Sequence, residues 1–316
     1  MKRLLAAFFL LAYVLAFAQL PIEGECLWHD AKPLAAGIKI KSFKYTKPRK
    51  LSVHAVKVDL SNKDIYLVTN SRPAQWGEPM PHPKTMKIAT LRRRVWDFVS
   101  DKRKAGHNVR VAVNASPWGP WNDPQVRHLF AANMGVLVSD GEQLAGVPAH
   151  KKSVPSLIVR TDGSVDMREY KKGDKVTGLK LAVSGFSFIL RNGKLALKPD
   201  KPLHPRTFYG LSQDKRFLYL VVVDGRQKGF SEGMTCYEGG QFMKYLGAYN
   251  AINMDGGGST TLVTSSSKGK KKLINSPSDA KAYKKDKYLH TRHVATALGV
   301  CVGKIKKADK VRKSGK

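Results

Sequence analysis

Two apolar runs, each ending in an aspartate and glycine, restrict what this chain can fold into. Phe217 to Val223 runs into Asp224-Gly225-Arg226, and Ala251 to Met254 runs into Asp255-Gly256-Gly257-Gly258-Ser259-Thr260. Residues 236–246 between them carry a helical pattern, so the segment reads as strand, helix, strand. A helical crossover returns the chain in its original direction, which predicts neighbouring parallel strands with both aspartates at their carboxyl ends. Ligands bind at such ends in open sheets. Three successive glycines let backbone approach a ligand and leave N–H groups free for an anion. A tight hairpin turn is the plainer use of a single Asp-Gly pair.

The rest of the chain reads as mixed structure. Residues 51–70 alternate around Ser61-Asn62-Lys63-Asp64 and predict a β-hairpin. Residues 85–105 predict a helix stopped by Gly106. Val109 to Val113 predicts a strand that delivers Asn114 beside Trp118 and Trp121. Short strands are expected at 135–138, 156–159 and 186–190, with turns at Asp140-Gly141, Asp162-Gly163 and Asn192-Gly193 that favour antiparallel pairing. The expected fold class is α+β, a mixed and largely antiparallel sheet with one β-α-β crossover in the C-terminal third.

Met1-Lys2-Arg3, the apolar run Leu4 to Phe17 and the small-x-small triplet Ala16-Phe17-Ala18 have the form of a cleavable secretory signal. The apolar run falls short of the roughly 20 residues that span a bilayer. The expectation is a signal over 1–18, one domain over 19–303 and a basic, disordered tail over 304–316, with no transmembrane segment after cleavage and a secreted, periplasmic or envelope location. A net charge of +32 then makes envelope polyanions or sugar phosphates better partners than nucleic acid. A solvated surface accounts equally well for lysine runs such as 268–272 and 281–287. Three cysteines cannot all pair within the chain, and Cys26 with Cys301 is the expected pair if a disulfide forms.

Thr235 and Glu238 have capping-box spacing, so Glu238 serves either a helix end or chemistry. Gly239-Gly240, just inside that helix, cost roughly 1 kcal/mol each relative to alanine, so close packing or ligand approach must explain them. Arg206 and Arg292 suit a phosphate or an ordinary surface ion pair.

Taken together, Asn114-Ala115, Arg206-Thr207 with Gly210, Asp224-Gly225-Arg226-Gln227, Gly233-Met234-Thr235 with Glu238, the 253–260 block, and Arg292 with Leu298-Gly299 resemble the phosphodiester glycosidase family over about residues 50 to 303. Two positions depart from the family pattern: Ala115 stands where glycine is usual, and Thr296 where asparagine is frequent. The resemblance implies hydrolysis between a sugar's anomeric carbon and a phosphate oxygen, in a sugar phosphodiester or anionic glycan. It implies Asp255 and Glu238 as the carboxylate pair, with Asp224 orienting substrate or a metal. Arg206 and Arg292 would clamp phosphate, and Asn114, Thr207, Ser259 and the Gly256, Gly257 and Gly258 amides would bind sugar or phosphate oxygens. Two other readings stay open. One is a metal-dependent phosphodiesterase with calcium or magnesium on Asp224 and Asp255. The other is a non-catalytic module that binds anionic glycans.

Overall fold

A computed structural model describes residues 20–22, 24–121 and 128–305. The expected signal segment lies outside them, as does the tail from 306 onward. The architecture is β-dominated and mostly antiparallel, with two short α-helices, Val95–Lys104 and Cys236–Tyr245. No helix among the described residues is long and apolar enough to cross a membrane.

The run Phe217–Val223 is an inner strand of an eight-stranded sheet, paired with Leu51–Asp59 on one side and Arg206–Leu211 on the other. Its side chains alternate between two cores. Leu218, Leu220 and Val222 face a large core shared with two five-stranded sheets, whereas Tyr219, Val221 and Val223 meet the helix Cys236–Tyr245 through Phe242 and Met243. Burial on both faces is why this strand is continuously apolar. The helix lies close because Gly239 and Gly240 have no Cβ: one there would stand 2.3 Å from the Phe208 ring and 2.6 Å from the Ile189 carbonyl oxygen. Close packing therefore accounts for both glycines.

Asn250–Asn253 is not the neighbour of Phe217–Val223 that the sequence predicts. Arg206–Leu211 lies between them and pairs antiparallel with each. The two strands point the same way, so Asp224 and Asp255 leave the same edge, but separated by an intervening strand.

Three further expectations are corrected. Residues 51–70 form no hairpin: Leu51–Asp59 is already paired on both sides, so the turn at 61–64 carries the chain to another sheet, where Ile65–Val68 pairs with Ala297–Val302. The first helix starts at Val95 rather than 85, because the backbone groups of Ala89, Arg92 and Arg93 bond to Ala131, Leu129 and Val294. All three cysteines are free and buried, with Cys26 packed near the helix Cys236–Tyr245 and Cys301 in the core against Val95–Lys104. Burial pushes the Cys301 thiol up to about 12. The three Asp-Gly and Asn-Gly turns do join antiparallel pairs: Leu137–Ser139 with Glu142–Ala145, Ser153–Arg160 with Val165–Lys171, and Ser187–Arg191 with Lys194–Leu195.

Candidate active site

Asp255 is fixed by both of its backbone groups. Its N–H donates to the Ala115 carbonyl at 2.9 Å, and its carbonyl accepts from the Asn114 side-chain amide at 2.6 Å. Asn114 ends the strand Val109–Asn114 in a different sheet from Asn250–Asn253, so this contact joins two sheets where the carboxylate emerges. The Asn114 Oδ1 accepts from the Thr207 hydroxyl at 2.9 Å and from the Thr261 N–H at 3.1 Å. Asn114 and Thr207 are fully buried. Their polar atoms hold the frame behind Asp255 and do not line a binding surface, contrary to the substrate-binding role expected of them.

In front of that frame lies an open cleft of about 420 Å³, with Asp255 as the one carboxylate among its lining residues. Arg206, Arg226, Arg292, His204, Trp118 and Trp121 line the same cleft. Asp255 is only partly buried as a residue, yet its Oδ2 is out of solvent contact and has no hydrogen-bond partner among the described residues. Desolvation raises its pKa to about 6, against the opposing pull of the Ser259 hydroxyl, the Arg292 guanidinium, the Gly256 N–H and the Trp118 indole. Asn253, also in the lining, has a buried and unpartnered Oδ1.

The arginines are held differently. Arg206 donates from Nε to the Met234 carbonyl and from Nη2 to the Pro202 carbonyl. Arg226 sits in the left-handed region at φ 58, with its guanidinium beside Gly257 and 3.3 Å from His204 Nδ1. Among the described residues no carboxylate pairs with either. Arg292 donates to Asp279 at 2.8 Å, across Gly258. A Cβ on Gly258 would meet Asp279 Oδ1 at 2.1 Å and Arg292 Nη2 at 2.4 Å, so glycine makes room for the pair. Burial, Arg206 and Arg226 lower the His204 pKa, which keeps a neutral ring among the guanidiniums.

The glycine amides are less free than the sequence implies. The Gly257 N–H donates to the Pro205 carbonyl, and residues 257–259 form a 3-10 turn. Ser259 is fully buried, with its hydroxyl close to the Asp255 carboxyl.

Glu238 and Asp224 do not line the cleft. Glu238 closes the capping box with Thr235, and both of its carboxylate oxygens accept from Arg49 Nη2, at 2.7 and 2.6 Å. It is 8% exposed, and the helix-end reading fits its partners where the catalytic one does not. Asp224 is 1% exposed. Its Oδ1 accepts from the Asn275 amide and the Ser276 N–H, and its Oδ2 lies 3.5 Å from His54 Nε2. It holds the loop at 275–276 rather than joining Asp255. Among the described residues no group of three or more His, Cys, Asp or Glu could hold a metal ion, and of the expected ligand pair Asp255 lines the cleft while Asp224 does not.

Sequence reasoning missed Arg226, His204, Trp118, Trp121 and Asn253 as cleft residues. The Asp-Gly-Arg triplet signals a turn, and only the three-dimensional approach of that turn to Gly257 brings Arg226 to the cleft.

A model of the phosphodiester glycosidase family matches residues 107–301. Mouse N-acetylglucosamine-1-phosphodiester alpha-N-acetylglucosaminidase is 25% identical over 268 residues, covering 69% of this chain and 50% of the mouse protein. The chain thus spans about half the length of that relative. Among solved structures, the catalytic domain of the zebrafish N-acetylglucosamine-1-phosphodiester alpha-N-acetylglucosaminidase, auto-inhibited by its pro-peptide, is similar with a TM-score of 0.59 at 20% identity, over 89% of this chain and 87% of that one. A hypothetical protein from Synechocystis is similar at a TM-score of 0.54 and 14% identity, over 86% and 64% of the two chains. At these identities the structural likenesses concern the fold. The family model covers the strands and turns that carry Asn114, Arg206, Arg226, Asp255 and Arg292, and the chain belongs to the phosphodiester glycosidase family.

Proposed function

We propose that this protein is an exported hydrolase that cleaves the bond between a sugar's anomeric carbon and a phosphate oxygen. The observation that carries the reading is a desolvated carboxylate, Asp255, lining one cleft together with Arg206, Arg226 and Arg292. An anionic phosphate suits the arginines, two of which have no carboxylate partner among the described residues, and guanidinium geometry favours bidentate contact with it. Trp121, which is exposed, offers a flat apolar face to a sugar ring, and Asn253 Oδ1 can accept from a hydroxyl.

With its pKa near 6, Asp255 is ionised at neutral pH and still basic enough to take a proton from water. The water oxygen adds to the anomeric carbon while the bond from that carbon to the phosphate oxygen breaks. The electron pair leaves with the phosphate, which departs as a monoester dianion stabilised by the arginines, so no general acid is required. The sugar is released with a free anomeric hydroxyl. No step is routed through a cation. Export rests on the signal-like sequence of residues 1–18.

Hydrolysis of an N-acetylglucosamine-1-phosphodiester in ¹⁸O-water tests the assignment. The account expects the label in the free sugar. Label in the phosphate would mean cleavage at phosphorus and would overturn it in favour of a phosphodiesterase.

A further inference from the structure

A basic segment of the chain ends at the cleft, in Arg292. Residues 278–292 run beside the Gly257–Ser259 turn and are pinned at three places. Asp279 pairs with Arg292 across Gly258. Lys287 reaches the Ser276 hydroxyl at 3.4 Å, and Ser276 itself bonds to Gln227 next to Arg226. Tyr288 stacks on Trp96 with ring centroids 4.1 Å apart. Between these anchors residues 281–286 are exposed, and they include Lys281, Lys284 and Lys285 against one acid, Asp286. Among the described residues none of these three lysines has an ion-pair partner.

This placement separates the segment from the other lysine runs of the chain. Arg292, at its end, lines the cleft, so the cationic surface runs from the reacting position out onto the segment without an acidic break other than the paired Asp279 and Asp286. A cleft of about 420 Å³ lies near the lower end of the range for small-ligand pockets, roughly 300–1,000 Å³. A longer substrate must continue over the rim. Unpaired cations spaced along a segment that ends in the cleft match an anion that repeats.

We propose, resting on the glycosidase reading, that the substrate is an anionic glycan polymer with repeating sugar-phosphodiester linkages. One linkage occupies the cleft while phosphates of adjoining repeats lie along Lys281, Lys284 and Lys285. The segment raises the local concentration of polymer and holds it in register with Asp255. A small phosphodiester fills only the cleft and gains nothing from it.

The test compares the wild-type chain with the triple variant Lys281→Gln, Lys284→Gln, Lys285→Gln on two substrates: a small sugar-1-phosphodiester and a glycan of repeating sugar-1-phosphate units. The quantity read is the ratio of kcat/KM per linkage, polymer over small substrate, at low and high salt, with thermal unfolding confirming that the variant is folded. The expected wild-type ratio is tenfold or more at low salt, falling at least fivefold in the variant and collapsing toward one at high salt. A ratio near one in the wild type, or one that the variant leaves in place, overturns the proposal. Absence of hydrolysis on both substrates counts against the glycosidase reading instead. Sedimentation of uncleaved polymer with wild type and variant then still decides the segment's role: equal binding overturns it, and loss in the variant supports it. Duplex DNA is the control polyanion, and equally tight, equally lysine-dependent binding of DNA would overturn the assignment to a glycan.

Discussion

The Asn114 side chain donates its amide to the backbone carbonyl of Asp255 at 2.6 Å, across two sheets, while its own oxygen receives Thr207 and Thr261. Asp255 is thereby positioned through its main chain rather than through its carboxylate. Removing the clamp leaves buried partners unpaired, at about 1–3 kcal/mol for each. Asn114→Ala is expected to lose about 3 kcal/mol of stability by urea denaturation. Its kcat should fall on the order of 100-fold, with a smaller change in KM, since small misplacements of a reacting group carry penalties of that size. An active and equally stable variant would remove Asn114 from the account.

On the proposed reading Glu238 serves the fold, as the cap of its helix and the partner of Arg49. Its contact with Arg49 has both side chains largely buried, and breaking such a pair typically costs about 3–5 kcal/mol. Glu238→Ala is expected to lower the melting temperature strongly. At a temperature where it stays folded, its kcat/KM should remain within a few-fold of wild type. A folded Glu238→Ala protein without activity would return Glu238 to the carboxylate pair.

Asp255 sets the acid limb of the pH profile. Acting as a base it must be ionised, so kcat/KM should rise with pH and level off above an apparent pKa of about 6. Activity falling through that range would mean that the protonated form is needed. Stability moves the opposite way. The folded-state pKa lies above the unfolded value, so ionisation costs the fold and stability drops as pH rises from about 4 to about 6. Asp255→Asn escapes that loss and should be the more stable protein at pH 8, by on the order of 1–2 kcal/mol.

Gly258 is required by its neighbours. A methyl group there displaces the Asp279–Arg292 pair. Gly258→Ala should raise KM for a sugar phosphodiester about tenfold as Arg292 leaves the cleft, with kcat less affected. Unchanged KM would show that Arg292 does not hold the phosphate.

The sequence was most legible where one local rule governs one element. The apolar run Phe217–Val223, the helix near 236–245 and the Asp-Gly and Asn-Gly turns stand where their patterns place them. It was least legible where partners are distant in the chain. Nothing in residues 51–70 reveals that Leu51–Asp59 has both edges taken, or that Arg206–Leu211 separates the two aspartate-bearing strands. The site shows the same division. Asp255 and the glycines announce themselves as a block, whereas Glu238 reads both as a cap and as one of the carboxylate pair. Asn114 and Thr207 read as ligand-facing polar residues because burial is invisible in sequence, and Arg226 reads as part of a turn until its guanidinium is seen beside Gly257.

The most direct test of the central claim is kcat/KM of Asp255→Asn beside the wild-type protein on an N-acetylglucosamine-1-phosphodiester at pH 7.5, with free sugar quantified. The account predicts hydrolysis by the wild type and a loss of at least 1,000-fold in a variant that remains folded, the upper part of what a single positioned base, about 10²–10⁴-fold, contributes. Comparable rates for the two proteins would contradict it.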